Sequence, residues 1–175
     1  MSEEAEPSGA GAPDPHVLGP GLLPTPFTAD EIRDATGAGK TIRLVVEGPG
    51  DERFARVNRF VDCDAEGATL LQWRLDEGGG VDGEVAIGRV TWRELQGHAA
   101  FPAATTVRTS EVLELDGLGR LDCLRYAVRD DGDPAASATT FWFALAHPGM
   151  PVRYEVPTPA GVVRTTVTSI ERLAD

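Results

Sequence analysis

Hydrophobic and polar residues alternate with a period of two along most of the chain after Lys40. This alternation is typical of half-buried strands, because successive side chains of a strand point to opposite faces. Short segments rich in Gly, Pro and Asp separate the alternating runs, as expected for turns. The pattern predicts eight or nine strands in an antiparallel meander. The clearest apolar series are Ile42, Leu44 and Val46; Val57, Val61 and Cys63; Leu71, Trp73 and Leu75; Leu124, Tyr126 and Val128; Phe141, Phe143 and Leu145; and Val152, Tyr154 and Val156.

An antiparallel sheet of this size does not stay flat, because strand twist curls it into a barrel, a half-barrel or a sandwich. Consecutive hairpins favour a barrel or half-barrel over a Greek-key sandwich. No helix-length pattern separates the strands, so a parallel sheet is not expected. We therefore predict an all-β, mainly antiparallel and strongly curved single domain over residues 27–175.

One short helix is predicted at the start of this domain. Thr28 can cap it, Glu31 has the spacing of a capping box, and Gly37 is placed to end it. Phe27 and Ile32 have the spacing of a hydrophobic staple. This helix is available to cover the concave side of the sheet.

Residues 1–26 differ in composition from the rest of the chain. They contain six prolines, four glycines, four acidic residues and no basic residue, with almost nothing to bury. This composition predicts a disordered, extended acidic tail outside the fold.

The charge of the whole chain excludes several classes of partner. Its 175 residues include 28 acidic and 16 basic side chains, a formal net charge of −12. A nucleic-acid binder would carry a basic patch, and an anionic membrane surface would repel this protein. No apolar run approaches the roughly 18 residues of a membrane span, and the first residues lack a secretory signal pattern. We expect no nucleic-acid partner, no membrane insertion and a cytoplasmic location.

The sequence carries no catalytic or cofactor signature. Cys63 and Cys123 have neither CxxC spacing nor a matching histidine pattern, so we interpret them as reduced thiols and expect no metal or other cofactor. The GKT triplet at residues 39–41 suggests a phosphate-binding loop, but that motif requires glycine at the position of Asp34 and a helix after the loop. A helix end and a turn are the expected structure, and the catalytic residues, if any, are unknown.

Histidine and arginine side chains provide candidate polar contacts. His98, beside Phe101, could line a cavity, whereas His147 precedes a Pro-Gly turn and is expected to be exposed. Arg108 and Arg125 lie in the middle of strands between apolar neighbours, where they could bind a carboxylate or phosphate bidentately. The alternative is a solvated outer face on which arginines pair with acidic residues across strands.

Aromatic residues point to a second apolar surface. Alternation places Trp142 on the face opposite Phe141 and Phe143, so both faces of that strand carry an aromatic ring. If one face is the core, the other lines either a ligand-binding hollow or a partner interface. The candidate ligand-binding residues are therefore Trp142, His98, Arg108, Arg125 and Tyr126.

The C-terminal third resembles the bacterial lipoprotein-carrier superfamily. The segment ATTFWF (138–143) is followed by PGMPVRYE (148–155), in which Gly149, Pro151 and Val152 match the family's G-x-P-V element. Trp142 matches the aromatic residue that precedes it. The resemblance implies a curved antiparallel half-barrel closed by helices, with an apolar hollow for acyl chains. An enzyme of violacein biosynthesis has a similar fold, so the resemblance is compatible with catalysis, but the export signal of the carriers is missing from this sequence.

Three functions follow as hypotheses. The first is a cytoplasmic protein that binds a lipophilic small molecule in the concave face of the sheet. The second is an interaction module whose second apolar face binds a protein partner or a second copy as a homodimer. The third is a small-molecule biosynthetic enzyme that uses the same hollow, with acid–base help from His98 or a buried carboxylate.

Overall fold

The computed structural model describes residues 11–130 and 137–173. This part of the chain forms nine strands and two short helices. In chain order they are α1 (Ala29–Ala35), β1 (Thr41–Glu47), β2 (Arg53–Val61), β3 (Gly67–Leu75), β4 (Val81–Thr91), α2 (Trp92–Gly97), β5 (Thr106–Leu115), β6 (Gly119–Val128), β7 (Thr139–Ala144), β8 (Arg153–Thr158) and β9 (Gly161–Glu171).

All nine strands belong to one antiparallel sheet with the order β4-β3-β2-β1-β9-β8-β7-β6-β5. Two meanders, β1–β4 and β5–β9, join where β1 pairs with β9. β4 and β5 form the two edges, and α2 lies in the connection between them. The sheet is thus an open, strongly curved half-barrel, which confirms the predicted fold class. The pairing of β1 with β9 adds a long-range contact to the predicted series of hairpins.

Helix α1 forms where the sequence predicts it, for the predicted reason. The Glu31 backbone amide donates to Thr28 Oγ1 (3.2 Å), and the Thr28 amide donates to Glu31 Oε2 (2.8 Å). Phe27 and Ile32 are both buried. The helix ends at the cap residue Thr36, one position before the predicted Gly37.

Helix α2 is an addition to the prediction. It starts with a second capping box of the same kind, in which Thr91 and Glu94 exchange hydrogen bonds. The indole of Trp92 is buried and donates to the Asp64 carbonyl (2.9 Å). This bond ties the start of α2 to the turn between β2 and β3.

Both helices lie on the concave side of the sheet and share its core. Phe27, Ile32 and Trp92 pack in one cluster with inward-facing strand residues such as Leu44 and Tyr126. The register supports a common face, because Ile42, Leu44 and Val46 pair with the alternate residues Asn58, Arg56 and Phe54 of β2. The helices therefore cover the concave face, as predicted for α1.

The prediction of a disordered tail over residues 1–26 has to be corrected for residues 15–25. Residues 1–10 lie outside the described residues, but residues 15–25 pack on the domain. The Leu23 amide donates to the Phe101 carbonyl (2.9 Å), and the Tyr126 hydroxyl donates to the Pro24 carbonyl (2.9 Å). Thr25 is buried. Composition did not reveal this packing because the contacts are mostly backbone hydrogen bonds, which any residue type can make.

The β5–β6 hairpin covers part of the outer face of the sheet. Gly117, in its turn, has a φ of 87° and lies against the Thr168 carbonyl of β9, where a Cβ would clash. Leu115 lies beside Val45 and Thr166 around a shallow surface depression. The hairpin contributes four buried residues to the hydrophobic core cluster, namely Leu113, Leu115, Leu121 and Cys123.

Candidate functional site

A cavity of about 340 Å³ lies between the two helices and the concave face of the sheet. This volume is at the lower end of the range of small-molecule pockets, roughly 300–1,000 Å³. The cavity touches α1, α2, five strands and the loop between β7 and β8. Its position beneath both helices and its mainly apolar lining make it the candidate functional site.

Aromatic and aliphatic side chains form most of the wall. The rings of Phe141 and Phe143 lie with centroids 6.4 Å apart, and Tyr154 stacks on Phe141 at 6.0 Å. Phe141 and Tyr154 are direct cross-strand partners, which explains their stacking. Further apolar lining comes from Ile32, Ile42, Phe60, Leu70, Leu95, Ala99, Met150 and Pro151.

A short polar chain crosses the strand side of the cavity. Gln72 Nε2 donates to Asn58 Oδ1 (3.1 Å), and Asn58 Nδ2 donates to the Met150 sulfur (3.6 Å). Asn58 and Gln72 are register partners on β2 and β3. These two amides therefore support each other and connect the sheet to the β7–β8 loop.

Lys40, the single lysine of the sequence, also lines the cavity. The Phe60 amide donates to the Lys40 carbonyl, which extends the β1–β2 ladder by one residue. In this register Lys40 shares the inward face of Ile42. Lys40 is only 3% exposed, and its Nζ donates to the Pro148 carbonyl at 3.5 Å. A cationic side chain thus occupies an apolar face of the sheet.

Burial lowers the pKa of the Lys40 ammonium from 10.5 to about 8, and the positive charge of Arg172 acts in the same direction. The pKa of His147 is also lowered, first by its burial and then by the charges of Lys40 and Arg172. His147 is half-buried, whereas the sequence predicted an exposed turn histidine. The positive charges of Lys40 and Arg172 therefore act on each other in a protein that is acidic as a whole.

Thr36 contributes a second buried polar group to the cavity wall. It is 6% exposed, and its Oγ1 has no hydrogen-bond partner among the described residues. Thr36 is the C-cap of α1, and the turn between α1 and β1 connects it to Lys40. The GKT segment thus follows a helix and leads into a strand, which is the reverse of the order in a phosphate-binding loop.

Three of the predicted ligand-binding residues differ in their position relative to this cavity: His98 lines it, whereas Tyr126 and Arg108 do not. His98 lines the cavity from the end of α2 and is exposed, which places it at the rim. Tyr126 is completely buried in the core, outside the cavity lining, and burial raises the pKa of its hydroxyl. Arg108 is exposed on β5, with its guanidinium 5.8 Å from the Tyr126 ring centroid.

Trp142 and Arg125 lie together on the outer face of the sheet. They are register partners, and the Arg125 guanidinium is 5.6 Å from the indole centroid. The Trp142 indole donates to Glu111 Oε2 (2.8 Å), which also pairs with Arg125 Nε (3.4 Å). Trp142 is on the face that alternation predicts, but it is only 8% exposed and packs within the chain. The structure therefore brings Trp142 and Arg125 together away from the cavity.

Exposed apolar side chains occur on edge strand β4. Ile87 is 70% exposed, and Val81 and Val85 of the same strand are also exposed. The interaction-module hypothesis located its apolar surface at Trp142, whereas the structure places exposed apolar residues on β4.

Sequence reasoning missed Lys40 and Thr36, although the register contained a signal for Lys40. Lys40, Ile42, Leu44 and Val46 occupy alternate positions, so a charged residue stands at the start of an apolar series. A charge in such a register has to be paired, exposed or functional. For Thr36, the sequence offers no corresponding signal, because its missing partner is a property of the tertiary structure.

Neither the models of known protein families nor the curated proteins gave a match to this chain. None of the helices in the described part of the chain is long and apolar enough to cross a membrane. Across residues 11–130 and 137–173, His, Cys, Asp and Glu side chains form no group of three or more that could hold a metal ion. The geometry and chemistry of the cavity are therefore the basis of the functional proposal.

Proposed function

We propose that this protein binds a lipophilic small molecule in the cavity between its helices and the concave face of its half-barrel. The observation that carries the proposal is an apolar, aromatic-lined cavity of about 340 Å³. Closely packed protein interiors leave few voids larger than a water molecule. A cavity of this size lined by Phe141, Phe143 and Tyr154 is favourable for an apolar occupant, because binding removes apolar surface from water on both partners.

The resemblance to the lipoprotein-carrier superfamily supports the same proposal. Gly149 and Pro151, which belong to the G-x-P-V element, both line the cavity, and Met150 lies between them. The element on which the resemblance rests is thus part of the proposed binding site. The family's apolar hollow for acyl chains makes a molecule with an alkyl chain a suitable occupant.

We also propose that binding takes place in the cytoplasm. Cys63 and Cys123 are both unpaired, and burial raises the pKa of each thiol. A raised pKa keeps a thiol protonated and unreactive. Unpaired cysteines are typical of proteins from reducing compartments.

Filling the cavity tests the proposed function. Leu95→Trp enlarges a lining residue of α2, and it should abolish the fluorescence increase of the neutral lipophilic dye N-phenyl-1-naphthylamine seen with the wild-type chain. Arg93→Trp introduces the same side chain at an exposed position of the same helix and should leave dye binding unchanged. Circular dichroism melts establish that both variants fold.

Two results would contradict the proposal. One is the absence of any dye binding to the wild-type protein. The other is equal binding by wild type, Leu95→Trp and a second cavity-filling variant, Leu70→Trp, which enlarges the strand side of the same wall.

A further inference from the structure

We propose that the occupant of the cavity carries a carboxylate, and that the ammonium group of Lys40 and the hydroxyl group of Thr36 bind it. This inference rests on the proposed function and adds the chemical class of the ligand. Lys40 and Thr36 both line the cavity, and both are buried.

The hydrogen bonds of Lys40 are incomplete. An ammonium group has three donors, but Nζ makes one hydrogen bond, a long one of 3.5 Å to the Pro148 carbonyl. None of the ion pairs among the described residues includes Lys40. Burying a charge is costly unless it is paired and hydrogen-bonded. An anionic group in the cavity would supply the missing acceptor and the missing charge.

Thr36 gives an independent indication of a polar occupant. Its Oγ1 is buried and without a partner in the described structure, although buried polar groups are almost always hydrogen-bonded. A hydroxyl can donate one hydrogen bond, and a carboxylate has two oxygens that can accept. Thr36 and Lys40 therefore offer donors suited to the two oxygens of one carboxylate.

The surrounding charges favour an anion. The charge of Arg172 lowers the pKa of Lys40, and the charges of Lys40 and Arg172 both lower the pKa of His147. Arg172 carries a permanent positive charge, and a bound carboxylate would offset the repulsion between Arg172 and Lys40. Because the pKa of Lys40 is about 8, its ammonium form predominates at pH 7, as required for binding an anion.

The donor set fits a carboxylate better than a phosphate. Phosphate groups are typically surrounded by several donors from arginine forks, lysines and backbone amides, more than one ammonium and one hydroxyl supply. The residues that line the cavity include one lysine and no arginine. The rest of the wall is mainly apolar, so the ligand class is an amphiphilic carboxylic acid with an aliphatic or aromatic body.

Isothermal titration calorimetry with dodecanoate and 1-dodecanol at pH 7 tests this inference. The two compounds share a twelve-carbon chain and differ in the carboxylate. Because hydrogen bonds to charged groups are stronger than neutral ones, wild type should bind dodecanoate about tenfold or more tightly than dodecanol. Concentrations stay below the micelle threshold of the acid.

Lys40→Met replaces the ammonium by an apolar side chain of similar length. It should remove the preference by weakening dodecanoate binding about tenfold or more, with dodecanol binding unchanged or stronger. Arg120→Met removes one positive charge at an exposed position outside the cavity and should retain the wild-type preference. Thr36→Val, which keeps the shape of the side chain, should weaken dodecanoate binding about fivefold.

A spectroscopic readout separates direct contact from a structural effect. Because Lys40 is the only lysine, protein labelled with 13C-lysine gives the signal of a single side chain. Dodecanoate should move the titration of its Cε resonance to higher pH, since a bound anion favours the charged form. Dodecanol should not move the titration to higher pH.

The outcomes of these experiments distinguish the carboxylate inference from the proposed binding function. Equal affinity of wild type for dodecanoate and dodecanol, or an unchanged preference in Lys40→Met, would overturn the carboxylate inference and leave the binding function standing. Binding of neither compound, together with no dye binding, would overturn both. If Lys40→Met fails to fold, Thr36→Val and the lysine titration decide the question.

Discussion

Lys40 illustrates at the residue scale how a strand register can bury a charge. The alternation that carries Ile42 and Leu44 into the core carries Lys40 to the same face. Burial then lowers its pKa to about 8, while the unfolded chain retains a value of 10.5. Below pH 8 the ammonium is charged in both states, so the folded state bears the full cost of burying it.

This pKa difference predicts how stability depends on pH. Between pH 8 and 10.5 the unfolded state binds more protons than the folded state at Lys40, so the contribution of this residue becomes less destabilising as the pH rises. Lys40→Met should therefore be more stable than wild type at pH 7, by on the order of 3 kcal/mol. The difference should fall towards zero near pH 10.5 in urea unfolding curves measured in the absence of ligand.

Comparing wild type with Lys40→Met isolates the contribution of Lys40 to the pH dependence of stability. Cys123 and Tyr126, whose pKa values are raised by burial, shift stability in the opposite direction at high pH, but they do so equally in wild type and Lys40→Met. Arg120→Met serves as the charge-matched control and should differ from wild type by the same amount at every pH. A constant difference between wild type and Lys40→Met across the range would contradict the prediction.

At the scale of elements, α2 connects parts of the chain that are far apart in sequence. Gln96 is 3% exposed; its Oε1 accepts from the Ala29 amide (3.0 Å) and its Nε2 donates to the Pro15 carbonyl (2.9 Å) and to Thr25 Oγ1 (3.0 Å). One side chain thus links α2, α1 and the N-terminal segment. Since both helices form the cavity wall, this link also maintains the site.

Replacing Gln96 tests that link. Gln96→Leu introduces an apolar side chain of similar size but removes the partners of the Ala29 amide, the Pro15 carbonyl and the buried Thr25 hydroxyl, and it should destabilise the protein by about 1–3 kcal/mol. Arg93→Leu, at an exposed position of the same helix, should change stability by less than about 0.5 kcal/mol. Urea unfolding measures both values, and similar stabilities of the two variants would show that Gln96 does not link the helices.

Helix α2 was not predicted from the sequence, although a local signal for its start is present. Thr91 and Glu94 have the capping-box spacing that identified α1 through Thr28 and Glu31. However, α2 has only six residues, too few to show a helical period in hydrophobicity. It follows β4 without a separating turn sequence, so the strand pattern masked the start of the helix.

At the scale of the whole molecule, residues 15–25 complete the domain from outside the sheet. They hydrogen-bond to α2, to the loop before β5 and to Tyr126 of β6. Leu22 forms an isolated bridge with Pro102. This segment lies along the connection that joins the two edges of the half-barrel, where it covers core residues such as Phe101.

Truncation measures the contribution of this segment. A chain lacking residues 1–26 should melt lower than the full chain by on the order of 10 °C, because buried donors of Tyr126 and Gln96 lose their acceptors. A chain lacking residues 1–10 is the control, since it retains these contacts. A melting temperature within about 2 °C of the full chain after removal of residues 1–26 would show that the segment does not stabilise the domain.

The sequence by itself determined the strand-rich fold class, the position of α1, and the faces on which Phe141, Trp142 and Phe143 lie. These features depend on alternation and capping, which operate over a few residues and are therefore visible in a single chain. Tertiary structure alone decided that β1 pairs with β9, that residues 15–25 join the core, and that Trp142 is covered by the chain itself. It also decided the site, because Lys40 meets Pro148 across 108 positions of sequence. Contacts over such separations depend on how distant segments pack against one another, and no pattern over a few residues encodes that packing.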